Sequence, residues 1–440
     1  MLEKIFGRSK KKPDTVAEPS IQFGRFSDNN KTVDKVEKWN EAEALFKEKK
    51  YQESISCFFE YLADDEADNV IYKTNGKTGS FELYQGSKVI RGRYTEEVLE
   101  AEVTLAIMPQ AGVPIMRRLL EMNFNLYYSR YALNEDRLYM LFHSDLETSN
   151  PSKLYYALKE LSTKADKQDD LLVQDFTSLQ PVDIAHIIDI PDEEKAIKLR
   201  YFKKWISETI ELINSVDPDK FSGGIAYLLL ALAYRIDYLI LPSGKLQSEI
   251  EKIVEIYFRK DDRLVTDKNQ EMLDAYQSLL QKDKETFYPY LFRSRYTFSI
   301  VSPQNFKTVA DAIYNANQNI AWYKENKLPA IAAQICEYGL SFCQYSYSLA
   351  RPLSEYFQLF MAINYSTFFD ELGFQYNYYN PSTEEYNREA IVERIKMIEA
   401  NWNPKYPEMQ LKTDKLKFDS RVAFNQSFAV EIEYLNLETR

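Results

Sequence analysis

His143 and His186 are the two histidines of this 440-residue chain, and histidine is the side chain that titrates near neutral pH without help. His143 precedes Ser144 and Asp145, so the residue types of a nucleophile, its base and an orienting carboxylate stand together. Adjacency is not that geometry, because the three groups must converge in space. His186 sits among Ile184, Ala185, Ile187 and Ile188, the setting of a packed histidine or a cap. Of the three cysteines, Cys336 and Cys343 are seven apart and share a helix face; metal ligation would need two further ligands close by. With Cys57 they read as free thiols of a reducing compartment, behaving as small buried apolar groups. The acidic run 64–68 lacks the spaced oxygens, glycine and closing glutamate of a calcium loop and reads as a solvated linker. Carboxylate pairs such as Glu193-Glu194 and Asp261-Asp262 fall on polar faces. No glycine-rich phosphate loop, Gly-x-Ser-x-Gly elbow or His-Glu-x-x-His pair occurs in the sequence. Gly223-Gly224 precedes an apolar helix, where glycines serve close packing or a cap. The expectation is a non-enzymatic chain with no cofactor and no metal site.

Without a catalytic motif, attention passes to groups that hold other proteins. The chain has 33 tyrosines and 26 phenylalanines; tyrosine joins a large apolar face to a hydroxyl and suits interfaces. Candidate partner-binding residues are Leu119, Met122 and Phe124 at a helix end, Tyr127 and Tyr128 in the strand after it, and Leu138, Met140 and Phe142 on the next. Methionine and tyrosine together suit an adaptable apolar groove. The competing reading is an enzyme with its pocket in the helical region, walled by tyrosines such as 345–347 and 376–379.

These residues need elements to position them. Trp39, Ala42, Leu45 and Phe46 share one helical face, and Ile55, Phe58, Phe59 and Leu62 share another, predicting a helical hairpin from residue 33. Runs 70–72, 80–84 and 88–94 are short strands punctuated by Gly76, Gly79 and Gly86. Strict alternation over 99–107 predicts a half-buried strand. A short amphipathic helix follows over 113–122, with Ile115, Met116, Leu119 and Leu120 as its apolar face and Asn123 as a left-handed stop. Strands over 126–133 and 138–143 flank a four-residue turn. A helix from Asn150 and a second after a charged break complete this part.

Pro181 marks a boundary, beyond which helical spacing recurs to about residue 402. Phe428, Val430, Ile432 and Tyr434 then alternate with polar residues, predicting one strand near the end of the chain. The expected organisation is a flexible tail over 1–32, an α+β unit over 33–180, an α-helical domain over 181–402 and an arm with one strand over 403–440. The fold class is α+β: an antiparallel sheet with flanking helices, then a helical bundle or array.

The net charge is −12, which disfavours nucleic acid and anionic membrane surfaces, both of which need clustered cations. Residues 1–12 lack the apolar core of about 7–15 residues that a signal peptide carries. The longest apolar run, 225–234, is half of the ~20 residues a membrane span needs and is expected to be a buried helix. A cytoplasmic location is expected.

Two resemblances add to this. The hairpin, with Ala42, Leu45, Tyr51, Ser54 and Phe58, resembles one tetratricopeptide repeat. The order helix, three or four strands, helix, two strands, helix over 33–178 resembles the type III secretion chaperone-like fold shared with YbjN-type domains, the likeness covering about 69–178. The closest likeness lies in Leu119-Leu120-Glu121-Met122-Asn123, the strand ending Ala132-Leu133, the turn into Asp136-Arg137-Leu138, and Lys164-Ala165-Asp166. The resemblance implies an acidic, often dimeric, non-enzymatic protein that holds partner segments on apolar patches of sheet and helix. The partner is then another protein, with a homodimer as one form of it.

Overall fold

A computed structural model describes residues 18–29, 31–64, 67–110, 112–182 and 184–439. Helices α1 (Val33–Lys47) and α2 (Tyr51–Leu62) form the hairpin. Lys49, at φ 63°, turns the chain, and the Ser54 hydroxyl donates to the Ala42 carbonyl at 2.7 Å, which draws the two helices together. Strands β1 (Val70–Thr74), β2 (Gly79–Gln85), β3 (Lys88–Tyr94) and β4 (Val98–Ile107) follow as a meander. Helix α3 (Val113–Asn123) then leads to β5 (Arg130–Asn134) and β6 (Arg137–Asp145). The sheet is antiparallel in the order β1-β2-β3-β4-β6-β5, with a bulge between Thr104 and Ala106.

One continuous helix, α4 (Pro151–Asp175), crosses the sheet, without the break its charges suggest. Asn150 caps it by accepting from the Lys153 N–H at 2.9 Å. Its Leu154, Ala157, Leu158, Leu161 and Ala165 lie in one core with Leu83, Ile90, Leu99 and Val103. That spacing is the inward stripe of a helix on a sheet. The hairpin shares this core: Phe59 stands 4.5 Å from Phe81 and 4.8 Å from Tyr72, ring centre to ring centre. A two-residue strand, β7 (Gln180–Pro181), pairs with the end of β4.

The rest is mainly helical. A short ladder, β8 (Ile188–Asp189) with β9 (Phe292–Arg293), brackets α5 (Asp192–Asn214), α6 (Ser222–Arg235), α7 (Gly244–Phe258), α8 (Val265–Leu280) and the one-turn α9 (Lys284–Phe287). Then come α10 (Phe306–Asn317), α11 (Ile320–Glu325), α12 (Pro329–Ser346), α13 (Arg351–Asn364) and α14 (Ser366–Glu371). A small hairpin, β10 (Tyr379–Asn380) with β11 (Glu385–Tyr386), precedes α15 (Arg388–Trp402) and α16 (Arg421–Glu433). The α6 run continues through a π turn to Ile240; among the described residues this is the one helix long and apolar enough to cross a membrane, and 89% of its apolar window is buried in the fold. It is the core helix of this half. Gly224 lets it approach α11, since a Cβ there would stand 2.8 Å from the Tyr323 ring.

The expected terminal strand is a helix: the Ser420 side chain caps α16 by accepting from Ala423 N–H at 3.2 Å. Phe424, Phe428 and Ile432, four apart, are all buried, while Tyr434 is exposed. Alternating residues and residues four apart overlap in Phe428 and Ile432, so a period-of-two reading caught half of a helical stripe. Nor is 403–440 a separate arm, because Met409, Leu411, Leu416 and Phe428 belong to the same core as α5–α15.

The expected flexible tail over 1–32 is packed where it is described. Residues 1–17 lie outside the described residues, but 18–29 are packed. Phe23 sits 4.9 Å from Phe369 and 5.7 Å from Phe374. Gly24, at φ 71°, donates its N–H to the Tyr238 carbonyl, where a Cβ would strike that ring at 2.5 Å. The Arg25 guanidinium donates to both oxygens of Asp237 at 2.7–3.0 Å. Asp28 accepts from Tyr155 of α4 and from Ser348 after α12, joining the two halves. A polar composition concealed a few buried anchors.

Candidate partner-binding surface

Helix α3 carries two apolar stripes. Ile115, Leu119 and Met122, at i, i+4 and i+7, are buried against the sheet. Val113, Leu120 and Phe124, at i, i+7 and i+11, face outward and are exposed by 75%, 63% and 91%. Arg117, Arg118 and Glu121 share that outer side. An amphipathic helix on a globular protein ordinarily turns a polar face to water; this one sets Val113, Leu120 and Phe124 among the polar residues of that face. Pro114 lies in its first turn, where its missing N–H costs nothing.

The helix unwinds through tight turns, with Asn125 N–H donating to Met122 and Leu126 N–H to Asn123. Asn123 is not a left-handed stop: it belongs to the helix, and its side-chain oxygen accepts from the Tyr131 N–H at 2.8 Å, tying α3 to β5. The loop 124–129 is then fixed from beneath. Glu160, on α4, accepts from the backbone N–H groups of Tyr127, Tyr128 and Ser129 at 2.8, 2.9 and 2.8 Å, and from the Ser129 hydroxyl at 2.8 Å. Burial works against its ionisation, but these hydrogen bonds outweigh that and hold its carboxyl below the ordinary glutamate value. Strand β5 accordingly starts at Arg130, later than the expected 126.

The backbone is therefore held while the rings stand out. Tyr127 is 92% exposed and Tyr128 half-exposed. Tyr156, one turn before Glu160 on α4, is also exposed. Arg117 and Arg118 flank this apolar surface, and neither has an ion-pair partner among the described residues; Arg130, opposite Leu141 in register, lies on the other face of the sheet. Arg117 and Arg118 thus stand unpaired on a chain of net charge −12.

The expected partner-binding residues thus divide. Phe124, Tyr127 and Tyr128 come together on the surface. Leu119 and Met122 are buried under α3, and Leu138, Met140 and Phe142 are buried in the sheet core. The correction follows from strand parity: along β6 these three share the face that α4 covers, and Tyr139, Leu141 and His143 take the other. Leu120, expected inside, is outside. Val113 and the arginines were legible as a second stripe at helical spacing. The clamp by Glu160, about thirty residues away in sequence, had no local signal.

The other candidates resolve as follows. His143 is exposed and Ser144 is buried, so consecutive strand residues point to opposite faces and the Ser/His/Asp set does not assemble. Ser144 is engaged with Thr148, Ser149 and Lys153. His186 packs on the Tyr84 ring, with Nε2 3.1 Å from the Gly86 carbonyl oxygen. Cys57, Cys336 and Cys343 are buried free thiols. Of the tyrosines offered for a pocket, Tyr345 borders a cavity of about 580 Å³ between α4 and α7, and Tyr376–Tyr379 border a hollow of about 380 Å³. Neither a scan of protein-family models nor a search of curated proteins finds a match to this sequence.

Proposed function

We propose that the protein is a non-enzymatic binding module that holds an acidic amphipathic segment of another protein against α3 and the 124–129 loop. The observation that carries this reading is the pairing of a clamped backbone with exposed aromatic rings. Ordering a loop on binding costs free energy, and a loop already ordered avoids that cost. Exposed aromatics beside unpaired arginines are the residue types that anchor interfaces.

Charge selects the occupant. Arg117 and Arg118 favour carboxylates at the rim of the bound segment, while Val113, Leu120 and Phe124 take its apolar stripe. A second copy of this chain fits less well, because a two-fold interface sets the same arginine-flanked patch against itself.

The test is selection of 20-residue segments from a displayed random library against the full chain, counter-selected on Phe124→Ser/Tyr127→Ser. The reading expects enriched segments with apolar residues at helical spacing, net negative charge and binding lost on the double variant. Segments that bind both proteins equally, or that are basic, overturn it.

A further inference from the structure

The helical half holds a hollow of about 500 Å³, within the size range of small-molecule sites. Its apolar lining is aliphatic: Leu212 of α5, Pro329, Ala330 and Ala333 of α12, and Val422 of α16. Ala333 is buried, and Leu212 and Val422 are partly buried.

Four polar side chains share the lining, and each has donors to spare. The Lys324 ammonium gives one hydrogen bond, to Gln426 Oε1 at 2.7 Å. Arg421 gives Nε to Asn364 Oδ1 at 2.9 Å and Nη2 to the Asn364 carbonyl at 3.4 Å, which leaves Nη1. Gln334 turns its oxygen to Arg235 Nη2 at 2.6 Å; a guanidinium only donates, so the amide nitrogen of Gln334 is what remains. Ser420 accepts from the Ala423 N–H at 3.2 Å and keeps its hydroxyl proton.

The charge here is of one sign. Neither Lys324 nor Arg421 has an ion-pair partner among the described residues. Among those residues no carboxylate lines the hollow: Glu211, Glu325 and Asp419, each next in sequence to a lining residue, stay off it. Pro329 and Ala330 open α12 and Arg421 and Val422 open α16, so the positive ends of two helix dipoles add to the two cations.

We infer that this hollow binds a small carboxylate with an aliphatic chain. Its head, which when ionised only accepts hydrogen bonds, takes donors from Lys324, Arg421 and Gln334. Its chain lies along Leu212, Ala330, Ala333 and Val422. A bare anion such as phosphate would use the donors and leave the aliphatic lining wet; an amine would meet two cations and no carboxylate.

The experiment is calorimetric titration of the full chain with linear carboxylates from acetate to octanoate, and with 1-octanol and octylamine. The inference expects saturable one-to-one binding that tightens along the series, by up to about fourfold per added methylene until the hollow is filled. Octanol and octylamine should bind at least about tenfold more weakly than octanoate, since they lack the charge-assisted contacts. Lys324→Met and Arg421→Met, both at exposed positions, should each weaken octanoate about tenfold. No binding by any carboxylate, acetate or octylamine as tight as octanoate, or an unchanged affinity in the Lys324→Met/Arg421→Met double variant would each overturn it. The chain-length and head-group series is read on the unaltered protein, so it decides even where a variant fails to fold. None of these results bears on the α3 surface, so the two readings fail separately.

Discussion

The carboxylate of Glu160 accepts the backbone N–H of Tyr127 at 2.8 Å while the ring of Tyr127 remains 92% exposed. One residue fixes the main chain; the other presents its side chain to water. Removing the acceptor should free three amides together. Glu160→Ala is expected to cost about 1–2 kcal/mol, a few partly solvated hydrogen bonds to one charge. It should also speed hydrogen exchange at Tyr127, Tyr128 and Ser129 more than at the α4 amides. Uniform exchange across the domain would contradict the clamp.

The same contact carries a pH sign. Burial opposes ionisation of Glu160, the hydrogen bonds from Tyr127, Ser129 and Tyr128 favour it, and the net is a folded pKa below the ordinary 4.5. A depressed carboxyl stabilises the fold above its unfolded pKa and loses that contribution as pH falls through the folded value. Exchange at the three loop amides, corrected for intrinsic rates, should therefore be flat near neutrality and rise below about pH 4.5. Glu160→Gln should lose this acid step.

Position on the surface or in the core separates residues that look alike in sequence. Phe124→Ser and Tyr127→Ser should each change stability by no more than about 0.5 kcal/mol, as exposed substitutions do. Leu138→Ala, at a fully buried position of β6, should cost about 2–5 kcal/mol. Urea midpoints of the three variants check this, and a Phe124 variant as unstable as the Leu138 one would place that ring inside.

Much of the α+β unit was legible because its strands alternate cleanly and glycines mark its turns. The failures have specific causes. Phe428 and Ile432 satisfy both a period of two and a spacing of four, and tertiary packing against Phe360, 5.7 Å away, decides for the helix. The segment around Phe23 and Arg25 is short and mostly polar, so its few buried anchors carried no periodic signal. Within the candidate surface, Phe124, Tyr127 and Tyr128 could be named from type alone. Whether Leu138 and Met140 faced the core or solvent depended on which face α4 covers, a long-range fact.

The end of the chain offers a direct check of that packing. Phe428→Ala removes a fully buried ring between Phe360 and Phe424 and should cost about 3–5 kcal/mol. A detached arm would lose almost nothing in the same thermal or urea measurement.

Arg25 tests the packing of the 18–29 strap, the segment laid over α6 and α12, in another way. Arg25→Ala leaves the buried Asp237 carboxylate without its bidentate partner, an arrangement expected to cost about 3–5 kcal/mol. Limited proteolysis should then cut within 18–29 before it cuts the helices. A variant with unchanged stability and cleavage would mean the strap is not anchored there.

The central claim is that α3 and the 124–129 loop receive an acidic amphipathic segment. The most direct measurement replaces Tyr127 with a photo-crosslinking phenylalanine analogue in the producing cells, with exposed Tyr434 as the control position, and sequences the peptides captured. The account predicts an adduct specific to position 127, to one segment with apolar residues at helical spacing and net negative charge. Equal capture at both positions, a second copy of this chain as the captured species, or a basic segment would contradict it.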